Sequence, residues 1–185
     1  MRHTSRVGWL LGALCCLSPS ILSASSGEPA PYRYFAVIGG ECERLVLAGR
    51  DQTAGCRGEL VNVDFGDGRV AFAFTSPSAQ GSVVTTFLGH ASQQPDLRTY
   101  RLEVDEISTV TRGKTGAPTN VAEPVSGHCA MKGDPTREAA RFECTAKRAD
   151  GHTSATFVSA GAPTVYAGTR SGPGDPPSSH AASGE

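Results

Sequence analysis

The sequence has no excess of charge of either sign: 17 lysines and arginines stand against 18 aspartates and glutamates in 185 residues, a formal net charge of -1. Such a chain has no strong field to draw in a phosphate backbone, so a dedicated nucleic-acid binder is disfavoured. It also lacks long apolar runs. None approaches the roughly 18 to 20 residues that a spanning helix needs, so no transmembrane segment is expected in the mature chain. Aromatic residues make up only 6%, whereas glycine (22) and proline (12) are plentiful, which fits one domain with loop-rich ends. No nucleophile elbow or twelve-residue calcium loop is present, and beyond residue 26 no two cysteines are closely spaced.

What is there begins with an export signal. Arg2 and Arg6 precede an apolar stretch over residues 7–17, Ser18 and Pro19 end it, and the small residues Ser23, Ala24, Ser25 and Ser26 follow. Residues 1–26 read as a signal peptide. Cys15 and Cys16 lie inside the stretch behind Leu14 rather than behind the small residues of a lipid-attachment site, so they belong to the discarded segment. Its removal takes away two arginines and no acid, leaving a formal charge of -3. Residues 27–31 are expected to be a short linker, residues 32–167 a β domain, and residues 168–185 a disordered tail without apolar periodicity.

Four cysteines remain: Cys42, Cys56, Cys129 and Cys144. An even number in an exported chain predicts two disulfides. The favoured pairing is Cys42 with Cys56 and Cys129 with Cys144, because each closes a short loop inside a similar local pattern. A four-thiolate zinc site is the rival, but such sites place cysteines two to four residues apart.

That local pattern occurs twice. In the first copy the cysteine pair leads to the alternating stretch 60–65 (LVNVDF), the turn 66–69 (GDGR) and 70–74 (VAFAF); in the second it leads to 145–148 (TAKR), the turn 149–152 (ADGH) and 153–157 (TSATF). Asp-Gly between alternating strands predicts a hairpin with a type I′ turn. Residues 32–38 and 82–88 are rich in strand formers. Tyr100, Leu102 and Val104 alternate with Arg101, Glu103 and Asp105, a strand with one buried and one wet face. Segments near 43–48, His128 and Phe142 bring the total to about eight or nine short strands, and residues 135–141 suggest a single helical turn. An all-β fold follows, a single small antiparallel β-barrel or sandwich. Residues 112–124, full of turn formers, are expected to form a long surface connection between two halves.

The candidate sites are sparse. Asp64-Phe65-Gly66 matches a kinase metal-binding triplet without its companions, and the hairpin accounts for it. Asn62, Asp64 and Asp67 offer oxygen atoms to calcium, and His90, His128 and His152 offer imidazoles, but neither set has ligand spacing. Ser126 and His128 share a strand face, the one arrangement that suggests a hydrolase, and Glu103 and Asp105 pair two carboxylates on a face that Arg101 marks as solvated. No catalytic or metal-binding residue is assigned from these, and no cofactor is expected. The reading is a periplasmic or secreted protein of a bacterial envelope that acts by non-catalytic binding, through a sheet edge or the loops at one end, with Tyr32, Tyr34 and Tyr100 as anchors. Its partner is unknown, with another envelope protein as one class. The alternative is inhibition of a hydrolase such as a lysozyme or protease.

Overall fold

The computed structural model describes residues 32–79, 81–92, 99–114, 116–149 and 151–167. The expected signal peptide, linker and tail lie outside the described residues. Ten strands are present among them: β1 (Tyr34–Leu47), β2 (Arg50–Asp51), β3 (Glu59–Asp64), β4 (Arg69–Ser78), β5 (Gly81–Ala91), β6 (Thr99–Gly113), β7 (Thr119–Lys132), β8 (Arg141–Arg148), β9 (Gly151–Ser159) and β10 (Thr164–Ala167). A single 3-10 turn at Thr53–Gly55 is the one helical element described.

The strands form an antiparallel eight-stranded closed barrel, β1-β3-β4-β5-β6-β7-β8-β9, with β2 and β10 as additions along β1. Closure depends on β1. Its first half pairs with β3 on one flank and β10 on the other, and its second half pairs with β9 from Gly40↔Ser159 to Val46↔Ser154. The changeover falls at Gly39–Gly40, and a bulge between Cys42 and Arg44 lies within the β9-paired half. Bulges bend and twist a strand, which lets β1 serve both ends of the sheet and removes the exposed edges of an open one. Glu43, the extra residue there, points out to Arg141 on β8.

Period-two alternation places the core inside. Leu45, Ala155, Cys144, Cys129 and Leu102 face one another in register across β1, β9, β8, β7 and β6, a continuous inward girdle. Phe72, Phe74, Phe87, Phe142 and Phe157 fill the space around it and are all buried. Phe72–Phe142 and Phe74–Phe87 meet edge to face with centroids 5.5 and 5.8 Å apart. Few aromatics therefore suffice, because five of the seven phenylalanines lie inside one narrow barrel. The outer wall is charged: Arg101–Glu103, Arg69–Asp105, Arg141–Glu143 and Arg148–Glu123 are ion pairs between 2.7 and 3.0 Å. An apolar interior inside a charged wall is the reverse of a membrane-spanning barrel. No helix among the described residues is long and apolar enough to cross a membrane.

Both disulfides form as the spacing predicts, Cys42–Cys56 and Cys129–Cys144. Their settings differ. Cys129 and Cys144 face each other directly in the β7–β8 ladder and are buried, whereas Cys42–Cys56 clips β1 to the segment ahead of β3. Zinc is thereby excluded from the four thiols.

Three expectations need correction. The strands are not all short, since β6 spans 15 residues and β1 and β7 span 14 each. The long connection over 112–124 does not exist as such: β6 runs to Gly113, β7 starts at Thr119, and Thr111↔Thr119 to Glu106↔Pro124 are paired. Turn-forming residues were tolerated in a strand there because the solvent-facing ribbon asks little of its side chains. The first Asp-Gly turn is also not a two-residue type I′ turn. Four residues, 65–68, connect β3 to β4, with positive φ at Gly66 (77°) and Gly68 (89°) and none at Asp67. In the second hairpin Arg148 pairs with Gly151, and Asp150 lies outside the described residues. The helical turn expected over residues 135–141 is a shorter turn, in which the Arg137 and Glu138 N–H groups both donate to the Asp134 carbonyl, and Arg141 already begins β8.

Candidate functional site

One end of the barrel opens into a cavity of about 500 Å³. The start of β1, the end of β3, the starts of β4, β6 and β8, and the ends of β5 and β7 surround it, because antiparallel neighbours present alternate termini at each rim. Alternation sends Tyr34, Ala36 and Ile38 of β1, Asn62 and Asp64 of β3, and Tyr100 of β6 into it, above a floor of Phe72 and Phe142. Pro135, Thr136, Pro163 and Val165 complete the wall.

Most of the lining is apolar, and its polar members are Arg33, Tyr34, Asn62, Asp64, Tyr100 and Thr136. The Asp64 side chain is only 12% exposed and pairs with the Arg33 guanidinium, which is 68% exposed. Its Oδ1 also accepts from the Gly66 N–H at 2.7 Å, so the 65–68 turn that ends β3 holds the carboxylate in place. The Arg33 guanidinium lies 5.7 Å from the centre of the Tyr34 ring, a cation over an aromatic face. Asn62 donates to the Ala71 carbonyl at 3.2 Å. Tyr100 packs edge to face on Phe72 at 6.1 Å, and its hydroxyl is buried with no hydrogen-bond partner among the described residues. A buried hydroxyl left unpaired costs about 1–3 kcal/mol, which makes it a place where an incoming group is rewarded.

Burial raises the pKa of Tyr34 above the ordinary phenol value, reinforced by the Asp64 charge and opposed by Arg33. Burial raises Tyr100 well above the ordinary phenol value, with Tyr34 and Asp64 adding to the shift. Both rings are therefore neutral hydrogen-bond donors at neutral pH. The native state keeps its phenol protons to higher pH than the unfolded chain, so this contribution to stability is present below pH about 10 and falls as the pH rises beyond it. An ultraviolet phenolate titration is expected to show a late phase that coincides with alkaline unfolding and loses amplitude in Tyr100→Phe.

The opposite mouth is also open, with a volume of about 520 Å³. Leu47, Ser76, Pro77 and Val83 line it, and its charged member is the exposed Arg50. It has neither a buried carboxylate nor aromatic rings.

Of the residues singled out from sequence, Tyr34 and Tyr100 meet in the first mouth, while Tyr32 stands outside it against Phe35 at 5.4 Å. Ser126 and His128 share the outer face of β7, opposite Lys147 and Thr145, exposed on a convex wall with no hydrogen bond between them. Glu103 and Asp105 lie on the outer wall: Arg101 holds Glu103 at 2.8 Å, and Arg69 and His90 reach Asp105 at 3.0 and 3.5 Å. His90, Glu103 and His128 fall in one cross-strand row, and His152 sits away from it opposite Lys147. No group of three or more histidine, cysteine, aspartate or glutamate side chains among the described residues is arranged to hold a metal. The three oxygen-bearing side chains proposed for calcium bond to protein instead: Asn62 to Ala71, Asp64 to Arg33 and Gly66, and Asp67 to the Arg69 N–H.

Sequence reasoning passed over Arg33 and the inward direction of Asn62 and Asp64. The signal was available: Leu60, Asn62 and Asp64 share one face by period two, so a core-facing row ends in an amide and a carboxylate. Comparison with protein-family models, curated proteins and solved structures finds no match to this chain.

Proposed function

We propose that the protein is an exported, non-catalytic binding protein that takes a small molecule into the mouth formed by Tyr34, Asp64 and Tyr100. The observation that carries the reading is the unpartnered, buried Tyr100 hydroxyl in a cavity of about 500 Å³ that is otherwise mostly apolar. A concave apolar site with a few convergent polar groups is the usual form of a small-molecule site, and its volume falls within the usual range of about 300–1,000 Å³. The cluster holds no side chain placed to act as a nucleophile with a base, so it is suited to holding a ligand rather than to transforming one. Two disulfides and the apolar amino-terminal stretch support export to a periplasm or to the outside of the cell.

The test is a fragment screen by nuclear magnetic resonance on the disulfide-bonded protein. Expected hits shift resonances of Ala36, Ala91 and Met131, which line this mouth, and lose affinity in Tyr100→Phe. A screen whose hits all map elsewhere, or that yields none, overturns the assignment.

A further inference from the structure

Resting on that reading, we infer that the ligand of this mouth is an organic cation, an alkylated ammonium group attached to an apolar body, which displaces Arg33 from Asp64. The cavity presents four aromatic rings, Tyr34, Phe72, Tyr100 and Phe142, beside a single carboxylate. Aromatic faces and a carboxylate together are the chemistry that recognises a quaternary or alkylated ammonium ion, because the ring quadrupole is negative on its face and the charge is soft enough to be desolvated.

The protein's own cation already models the occupied state. Arg33 places its guanidinium over the Tyr34 ring and on the Asp64 carboxylate, yet its side chain is 68% exposed while that of Asp64 is 12% exposed. The anionic half of the pair is fixed, held by the Gly66 N–H and the barrel wall; the cationic half is a long side chain standing in water. With Arg33 turned outward the lining carries one negative charge and no positive one. An anionic ligand would have to settle beside that carboxylate, and a neutral one would leave the Arg33–Asp64 pair in place across the entrance. A cation exchanges one charge pair for another and adds the burial of its apolar body.

Competition gives the proposal a sign that other ligand classes do not share. The probes are benzyltrimethylammonium, its neutral carbon isostere neopentylbenzene, and phenylacetate, titrated calorimetrically and by Met131 methyl shifts. Benzyltrimethylammonium is expected to bind most tightly. Arg33→Ala is expected to tighten it by about threefold, the scale of an exposed ion pair no longer competing. Asp64→Asn, which keeps the Oδ1 acceptor for Gly66, is expected to weaken it by about tenfold or more, and Tyr34→Leu is expected to weaken it where Tyr34→Phe does not. Equal binding of the cation and neopentylbenzene overturns the cation inference and leaves the small-molecule mouth standing. So does tight binding of phenylacetate that is lost in Arg33→Ala. Silence from all three probes together with an empty fragment screen removes the mouth itself.

Discussion

Replacing Cys129 and Cys144 together by alanine is expected to lower the unfolding free energy by about 3–5 kcal/mol, a large share of the roughly 5–15 kcal/mol that holds a domain of this size. Loop closure alone accounts for about 3 kcal/mol at a sequence separation of 15. The remainder comes from place. The two cysteines are 1% and 3% exposed, in the inward girdle between Leu102 and Ala155, so truncating them removes buried sulfur and leaves space that the surrounding strands cannot close. Cys42–Cys56 supplies the comparison. Its separation is 14, so its closure term is nearly the same, but it joins β1 to a connecting segment and both residues are partly exposed. The Cys42→Ala/Cys56→Ala protein is expected to lose about 3 kcal/mol and no more. Denaturant unfolding of both variants, compared at equal m-value, decides the matter: equal losses would show that the girdle packing of Cys129 and Cys144 contributes nothing beyond chain closure.

The same pair shows why so much of the fold was legible in the sequence. Strand signals with period two are local, so stretches such as 60–65, 70–74 and 100–105 declare their inner and outer faces without reference to the rest of the chain. The cysteine spacing then identifies which hairpins are clipped. What is not local is closure. Whether such strands make a barrel or two stacked sheets depends on β1 pairing with β9, more than a hundred residues away, through a bulge at Cys42–Arg44 that no residue preference marks. The candidate site is hidden for the same reason. Arg33 and Asp64 are 31 residues apart and Tyr100 comes from a third strand, so the cluster exists only once the barrel has brought its rims together. Ser126 and His128 were legible as a pair because they are neighbours on one strand, and that same locality puts them on the outer wall.

Gly89→Val is expected to have the largest effect of any single substitution in the barrel, a loss of at least about 3 kcal/mol that leaves little folded protein. Gly89 lies on the inward row of β5 opposite Val104, and Val104 in turn faces Gly127 of β7. Against β5 the register slips between Glu106 and Val104, which makes Asp105 the extra residue of a bulge, whereas against β7 the slip puts Val125 and Ser126 opposite Asp105 alone. Three strands bend sharply at this corner, and glycine lets their backbones approach. A Cβ at Gly89 would stand 1.9 Å from the Glu103 carbonyl oxygen and 2.8 Å from the Val104 Cα. Both are backbone atoms, so no side chain can rotate aside and the ladder itself must open. Gly39→Ala is the control: its built Cβ meets nothing within 4 Å, and its effect is expected to stay within about 0.5 kcal/mol. Circular dichroism and thermal melts of the two variants separate the alternatives, since wild-type stability in Gly89→Val would mean that the corner is plastic. The consequence reaches the ligand mouth. The bend that turns Asp105 out to Arg69 and His90 also sets the rim on which Ala91 and Tyr100 face inward, so Gly89→Ala, which sets the same Cβ against that carbonyl oxygen, is also expected to open the corner and weaken binding at the mouth.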